Sequence, residues 1–146
     1  MDYIMSILSR TQTELSIAAI CSTAGAFLSF LVGGFDPSLQ ALVVLVITDY
    51  LTGMIAAWKT GTLSSSKGYK GLLRKAVIAL VVAFAHMLDT AMGVHTLRAM
   101  AICGYAGIEG LSLLENIDRA GYGEYIPEYI RTKLAQLREE KGVELS

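Results

Sequence analysis

The sequence predicts an all-α integral membrane protein with four transmembrane helices and a C-terminal amphipathic helix on the cytoplasmic side. Composition is the first reason. Of 146 residues, 53% are hydrophobic and 17% are charged, against about 25% charged in an ordinary soluble domain. The second reason is an uncharged run of 21 residues from Leu15 to Phe35, since a spanning helix needs roughly 20 apolar residues. The third is the clustering of bases in one connector, which orients the spans across the bilayer.

Expected spans cover about 15–35, 39–58, 72–93 and 97–114, preceded by a surface segment at 1–14 and followed by a polar segment at 115–146. The first span is uninterrupted. The second carries only Asp49, and the third carries His86 and Asp89. One acid near the centre of a helix costs about 2.5 to 3.5 kcal/mol on insertion scales, which a run such as VIALVVAF at 77–84 offsets. The fourth span holds Glu109 and Gly104, Gly107 and Gly110. Its lower apolarity fits a full crossing or a re-entrant segment.

Tyr3, Ile4, Ile7 and Leu8 suit a short amphipathic helix on the membrane surface or an irregular start. As a signal peptide the N-terminus is poor, because its first charge is acidic and CSTAGA falls within the apolar run. The connector from Lys59 to Lys75 contains Lys59, Lys67, Lys70, Arg74 and Lys75 and no acid, whereas the connector at Phe35, Asp36 and Pro37 has no base. The basic loop is therefore expected in the cytoplasm. With four spans both termini lie there too.

After Asn116 the chain becomes polar, and Ile130, Leu134 and Leu137 recur at helical spacing, so a helix is expected over about 127–141. A solvated tail is the other reading. Arg131, Lys133, Arg138 and Lys141 alternate with acids, which disfavours nucleic acid as a partner. Cys21 and Cys103 fall inside spans and have no ligand spacing with each other, His86 or His95. No metal, cofactor or catalytic residue is expected, and no phosphate-binding glycine loop is present.

At 100° per residue, Ala18, Ser22, Ala26, Ser29 and Gly33 form a ridge of small residues that lets another helix approach closely. The second span puts Asp49, Thr52, Gly53 and Ala56 on one narrow face, opposite Val44, Leu51 and Ile55. A carboxylate directed at lipid would be protonated or expelled, so this face should point at protein or water. His86 and Asp89 share a strip of the third span. Glu109, Ser112 and Asn116 share a face of the fourth, with Gly104 and Gly107 on the other side. Three acids at membrane depth either fix helix order by hydrogen bonding or border a water path. Glu115 is expected to meet Arg74 or Lys75, or else to be solvated beside them.

The order Asp49-Tyr50-Leu51-Thr52-Gly53, Leu63-Ser64-Ser65, Gly68, Lys70-Gly71-Leu72, Lys75 and Asp89 resembles the phage lysis and toxin-secretion holin family. Glu109, Ser112, Leu113-Leu114-Glu115-Asn116, Gly121 and Pro127 resemble its second signature. The likeness covers about 45–137. One departure is Ile108, where members often carry Asn before the acid.

The resemblance implies a homo-oligomer in the bacterial cytoplasmic membrane that opens a lesion at a set time. It also implies a functional partner, an endolysin or in some relatives a toxin, and no catalysis. Two rivals come from the residues alone: a small proton-coupled transporter using the intramembrane acids, and an accessory subunit that packs through glycine ridges.

Overall fold

A computed structural model describes the backbone of residues 2–143 and the side chains of 11–133, 135 and 136. All the regular structure among these residues is helical, and four of the helices are long and apolar enough to cross a membrane. It divides into two units, residues 1–35 and 36–146.

The first unit is one helix, α1 (Asp2–Val32). It is continuous through the point where a separate surface segment was expected to end at 14. Nothing in TQTELS at 11–16 breaks a helix, and Ser16 returns its hydroxyl to the carbonyl of Gln12. The helix stops because Gly33 and Gly34 take positive φ, 81° and 97°, and their N–H groups close onto Phe30 and Ser29. Side chains at Tyr3, Ile4, Ile7 and Leu8, which carry the expected surface stripe, lie outside the described residues.

The second unit contains α2 (Pro37–Lys59), α3 (Ser65–Met92), α4 (Leu97–Ile117) and α5 (Glu128–Val143). Asp36 caps α2 by accepting from the Leu39 N–H at 2.9 Å, and Pro37 supplies a first-turn residue with no N–H to satisfy. Between α2 and α3, Gly61 has φ 65° and Ser64 caps α3 through the Lys67 N–H. Gly93 ends α3 in the left-handed conformation.

α3 starts seven residues before the expected boundary at 72. Lys67, Lys70, Arg74 and Lys75 are thus helical, and the connector shrinks to the few residues between Lys59 and Ser65. Charge suggested a loop there, but lysine and arginine are good helix formers whose apolar stems tolerate the membrane boundary. α4 runs without a break, with no re-entrant turn. It continues into a π-helical turn, Asp118–Tyr122, which is kinked at Gly121 with φ 86°. A 3₁₀ turn, Gly123–Tyr125, leads to α5, which begins just after Pro127 and passes the expected stop at Gly142. The side chains of Leu134, Leu137, Arg138 and Lys141 lie outside the described residues.

The core follows a spacing of three and four. In α2 the buried positions are Leu39, Leu42, Asp49 and Ala56, and in α3 they are Ile78, Val82, Ala85 and Asp89. α4 buries Ile102 and Glu109. The outward faces carry Val44, Ile47, Leu51 and Trp58 of α2, and Leu72, Val77, Leu80 and Phe84 of α3, all exposed. Polar groups inside and large apolar groups outside invert the pattern of a water-soluble bundle and match a lipid surround. The protein is a multi-pass membrane protein.

Candidate functional site

Acids occupy core positions because the same helical spacing that places Leu42 and Ala56 inward also places Asp49 inward. In α3, Lys75 stands one step of three before Ile78, and in α4 Glu109 stands seven after Ile102. Three helices therefore bring Asp49, Lys75 and Glu109 to one point. The Lys75 Nζ lies 2.6 Å from Asp49 Oδ2 and also donates to Glu109 Oε2. Glu109 is 1% exposed and Asp49 8%. Lysine supplies charge and donors to both carboxylates, which lowers the penalty each would carry unpaired in low dielectric.

Asn116 completes the arrangement. Its Nδ2 donates to Asp49 Oδ1 at 2.9 Å and to the Asp49 carbonyl at 3.3 Å, while Arg119 donates to its Oδ1 at 3.4 Å. Space for the amide exists because residue 53 is glycine. A Cβ there would approach Asn116 Nδ2 to 3.3 Å. Thr52, by contrast, turns back on its own helix, donating to the carbonyls of Thr48 and Asp49. Among the described residues every buried side-chain nitrogen or oxygen has a partner.

Asp89 is 3% exposed and does a different job. Its carboxylate accepts from the N–H groups of Leu97 and Arg98 at 3.0 and 2.9 Å, capping α4 from the end of α3. Thr96, at the cap position itself, makes no side-chain cap bond. Arg98 then pairs with Asp36 at 2.6 Å, joining the starts of α4 and α2. This pairing holds the Asp36 carboxyl below its ordinary value near 3.8, assisted by the Leu39 N–H.

Other expected positions are dispersed. Glu115 meets neither Arg74 nor Lys75 among the described residues. It stands six residues beyond Glu109 and so about 240° around the helix, whereas Asn116 at seven residues returns to the same face. Lys75 itself is ten residues inside α3 and engaged with the two acids. His86 is half-buried and its carbonyl accepts from Thr90; Ser112 is half-buried on the inward side of α4. Gly104 and Gly107 are exposed with open space beside them. Ala18, Ser22 and Ala26 of α1 are exposed, and Ser29 of α1 and Gly33 just past its end are half-buried.

Lys59, expected in the loop, is the last residue of α2. Its Nζ donates to the Ala120 carbonyl at 3.0 Å and sits 3.9 Å over the Tyr122 ring, tying the turn after α4 to α2. Tyr50 packs against α3 where glycine permits it. Cβ atoms at Gly71 and Gly68 would come within 3.4 and 3.7 Å of its ring and hydroxyl. The signal for this contact is the Gly-x-x-Gly spacing at 68 and 71.

A model of the bacteriophage holin family matches residues 26–139, which include every residue of this polar cluster. The chain belongs to the bacteriophage holin family. It is 38% identical over 97 residues to a probable holin of Bacillus phage phi105, covering 66% of this chain and 70% of that one. An uncharacterized protein of Listeria monocytogenes is 37% identical over 108 residues, 73% of this chain and 76% of its own. Another, from Clostridium perfringens, is 34% identical over 121 residues, 82% and 88% respectively. No solved structure matches. Membership of the holin family supports a holin role and suggests a non-enzymatic membrane protein, which in this member carries a half-buried lysine between two acids.

Proposed function

We propose that this protein is a holin that oligomerises in the bacterial cytoplasmic membrane and opens a lesion. Through it an endolysin, or in some settings a toxin, leaves the cytoplasm. The observation that carries the reading is the Asp49, Lys75 and Glu109 cluster in a chain of the holin family. Closed within one chain, the one lysine serves both carboxylates. Pulling the three helices apart in lipid strands at least one charge, so separation is favourable only where water replaces the lost partner. A water-lined assembly of many copies supplies that solvent. Release should therefore be abrupt, because intermediate separations leave the charges with neither protein nor water.

Small residues on α1 and the open Gly104 and Gly107 face of α4 support close helix association between copies. The bases of α3 support a cytoplasmic location for its start and for both termini. Asp49→Asn and Glu109→Gln, expressed from an inducible promoter in a bacterium, test the reading through escape of a cytoplasmic enzyme and crosslinked oligomer size. The expected result is abrupt escape from the parent protein and a shifted onset in each variant. Retention of the enzyme by cells expressing the parent protein would favour an ion-coupled transporter. Unchanged timing and size in both variants would remove the cluster from the mechanism.

A further inference from the structure

A cleft of about 660 Å³ opens beside the polar cluster, between α2, the first three turns of α3 and the residues just past α4. Lys75 and Asp49 lie at its inner end. Its outer part is lined by Lys67, Lys70 and Arg74, which follow each other at spacings of three and four and so form one stripe on α3, and by Arg119 on the opposite wall. Among the described residues, no carboxylate pairs with Lys67, Lys70 or Arg74. The first turn of α3 contains no acid, leaving the positive end of its dipole uncompensated at the same mouth. Cleft geometry, unpaired cations and helix polarity all favour one kind of occupant, an anion.

Depth narrows the choice. Lys67 is eight residues nearer the start of α3 than Lys75, about 12 Å along the axis, and exposed Tyr69 and Trp58 lie near this end of α3 and α2. Such aromatics occupy the headgroup layer of a bilayer. The wall of the cleft also includes Met54 and Leu63, both exposed apolar side chains, directly beside the cations. A free phosphate would leave them uncovered, whereas a lipid brings its own acyl chain.

We propose that the cleft binds the phosphate of an anionic phospholipid, held by Lys67, Lys70, Arg74 and Arg119, with an acyl chain along Met54 and Leu63. Arginine offers a planar pair of donors to phosphate oxygens and lysine a point charge. The site requires only that the chain lie in a membrane and is independent of lesion formation.

The full chain in neutral detergent micelles, titrated with phosphatidylglycerol, phosphatidylcholine or inorganic phosphate, provides the test, with the thermal unfolding midpoint read against concentration. Phosphatidylglycerol should raise the midpoint saturably, and the other two should not. Lys70→Gln with Arg74→Gln should retain helical circular dichroism and need about 25-fold more phosphatidylglycerol, roughly five-fold for each charge removed. Arg119→Gln, on the other wall, should weaken binding about five-fold and serves if the double variant loses its helical signal. Lys133→Gln, on α5 outside the cleft, should leave the titration unchanged. Equal stabilisation by phosphatidylcholine or by phosphate alone overturns the lipid assignment, and equal weakening by Lys133→Gln overturns the site.

Discussion

Lys75 is the residue on which the three-helix unit turns. Removing it as Lys75→Met leaves Asp49 and Glu109 facing each other with no cation, and breaking a buried pair from one side typically costs about 3 to 5 kcal/mol. Unfolding in detergent should show a loss of that order. Glu109→Gln should cost less, because Lys75 keeps Asp49 as a partner. A larger loss for Glu109→Gln than for Lys75→Met would contradict this ranking. At Gly53 the margin is steric. Gly53→Leu pushes into Asn116, whose bond to Asp49 is then lost, and overpacking of this kind costs about 1 to 3 kcal/mol.

At the scale of elements, α4 is held at its start by charges that belong to other parts of the chain. Asp89→Ala removes acceptors from the Leu97 and Arg98 N–H groups, and loss of a cap costs about 0.5 to 2 kcal/mol. Hydrogen exchange should accelerate at 97–100 while the middle of α4 stays protected; unchanged exchange there would mean the cap is dispensable. The Asp36 and Arg98 pair adds a pH dependence. Because its bond to Arg98 lowers the folded pKa of Asp36, its contribution is fully present above the ordinary value near 3.8 and is lost as pH falls through the lower folded value. Arg98→Gln should abolish this part of the acid-side loss of stability. An identical acid titration of the variant would show that the pair contributes nothing.

Helix existence was readable from apolar length, but one helix start was not. Charge marks the membrane boundary, and α3 extends past that boundary by two turns because Ser64 caps it and its lysines are helix-compatible. The polar cluster was readable in half. Asp49, Glu109 and Asn116 fall on narrow faces that periodicity reveals. Lys75 is adjacent to Arg74 in a basic run, and nothing local distinguishes the lysine that enters the core from its neighbours that do not. Only the phase of the helix, carried forward through Ile78, Val82 and Ala85, makes that distinction.

For the whole molecule, orientation in the bilayer is the property most open to measurement. With Cys21 and Cys103 replaced by serine, single cysteines at Ser38 and Ser66 report the two ends of the hairpin formed by α2 and α3. In intact cells before lesion onset, an impermeant maleimide should label the cysteine at 38 and reach the one at 66 only after permeabilisation. Labelling of position 66 in intact cells would reverse the topology.

The amino-acid sequence by itself determined that the chain is helical, that it has four membrane-length helices, and that acids lie within them. Apolar length, glycine and proline punctuation and residue period are local quantities, and each can be read from a single segment. Tertiary structure alone decided what those acids do. Asp49 and Glu109 share one lysine from a third helix, whereas Asp89 caps the next helix. In both cases the partner is distant in sequence, and the low dielectric between helices makes the choice of partner the term that decides the packing.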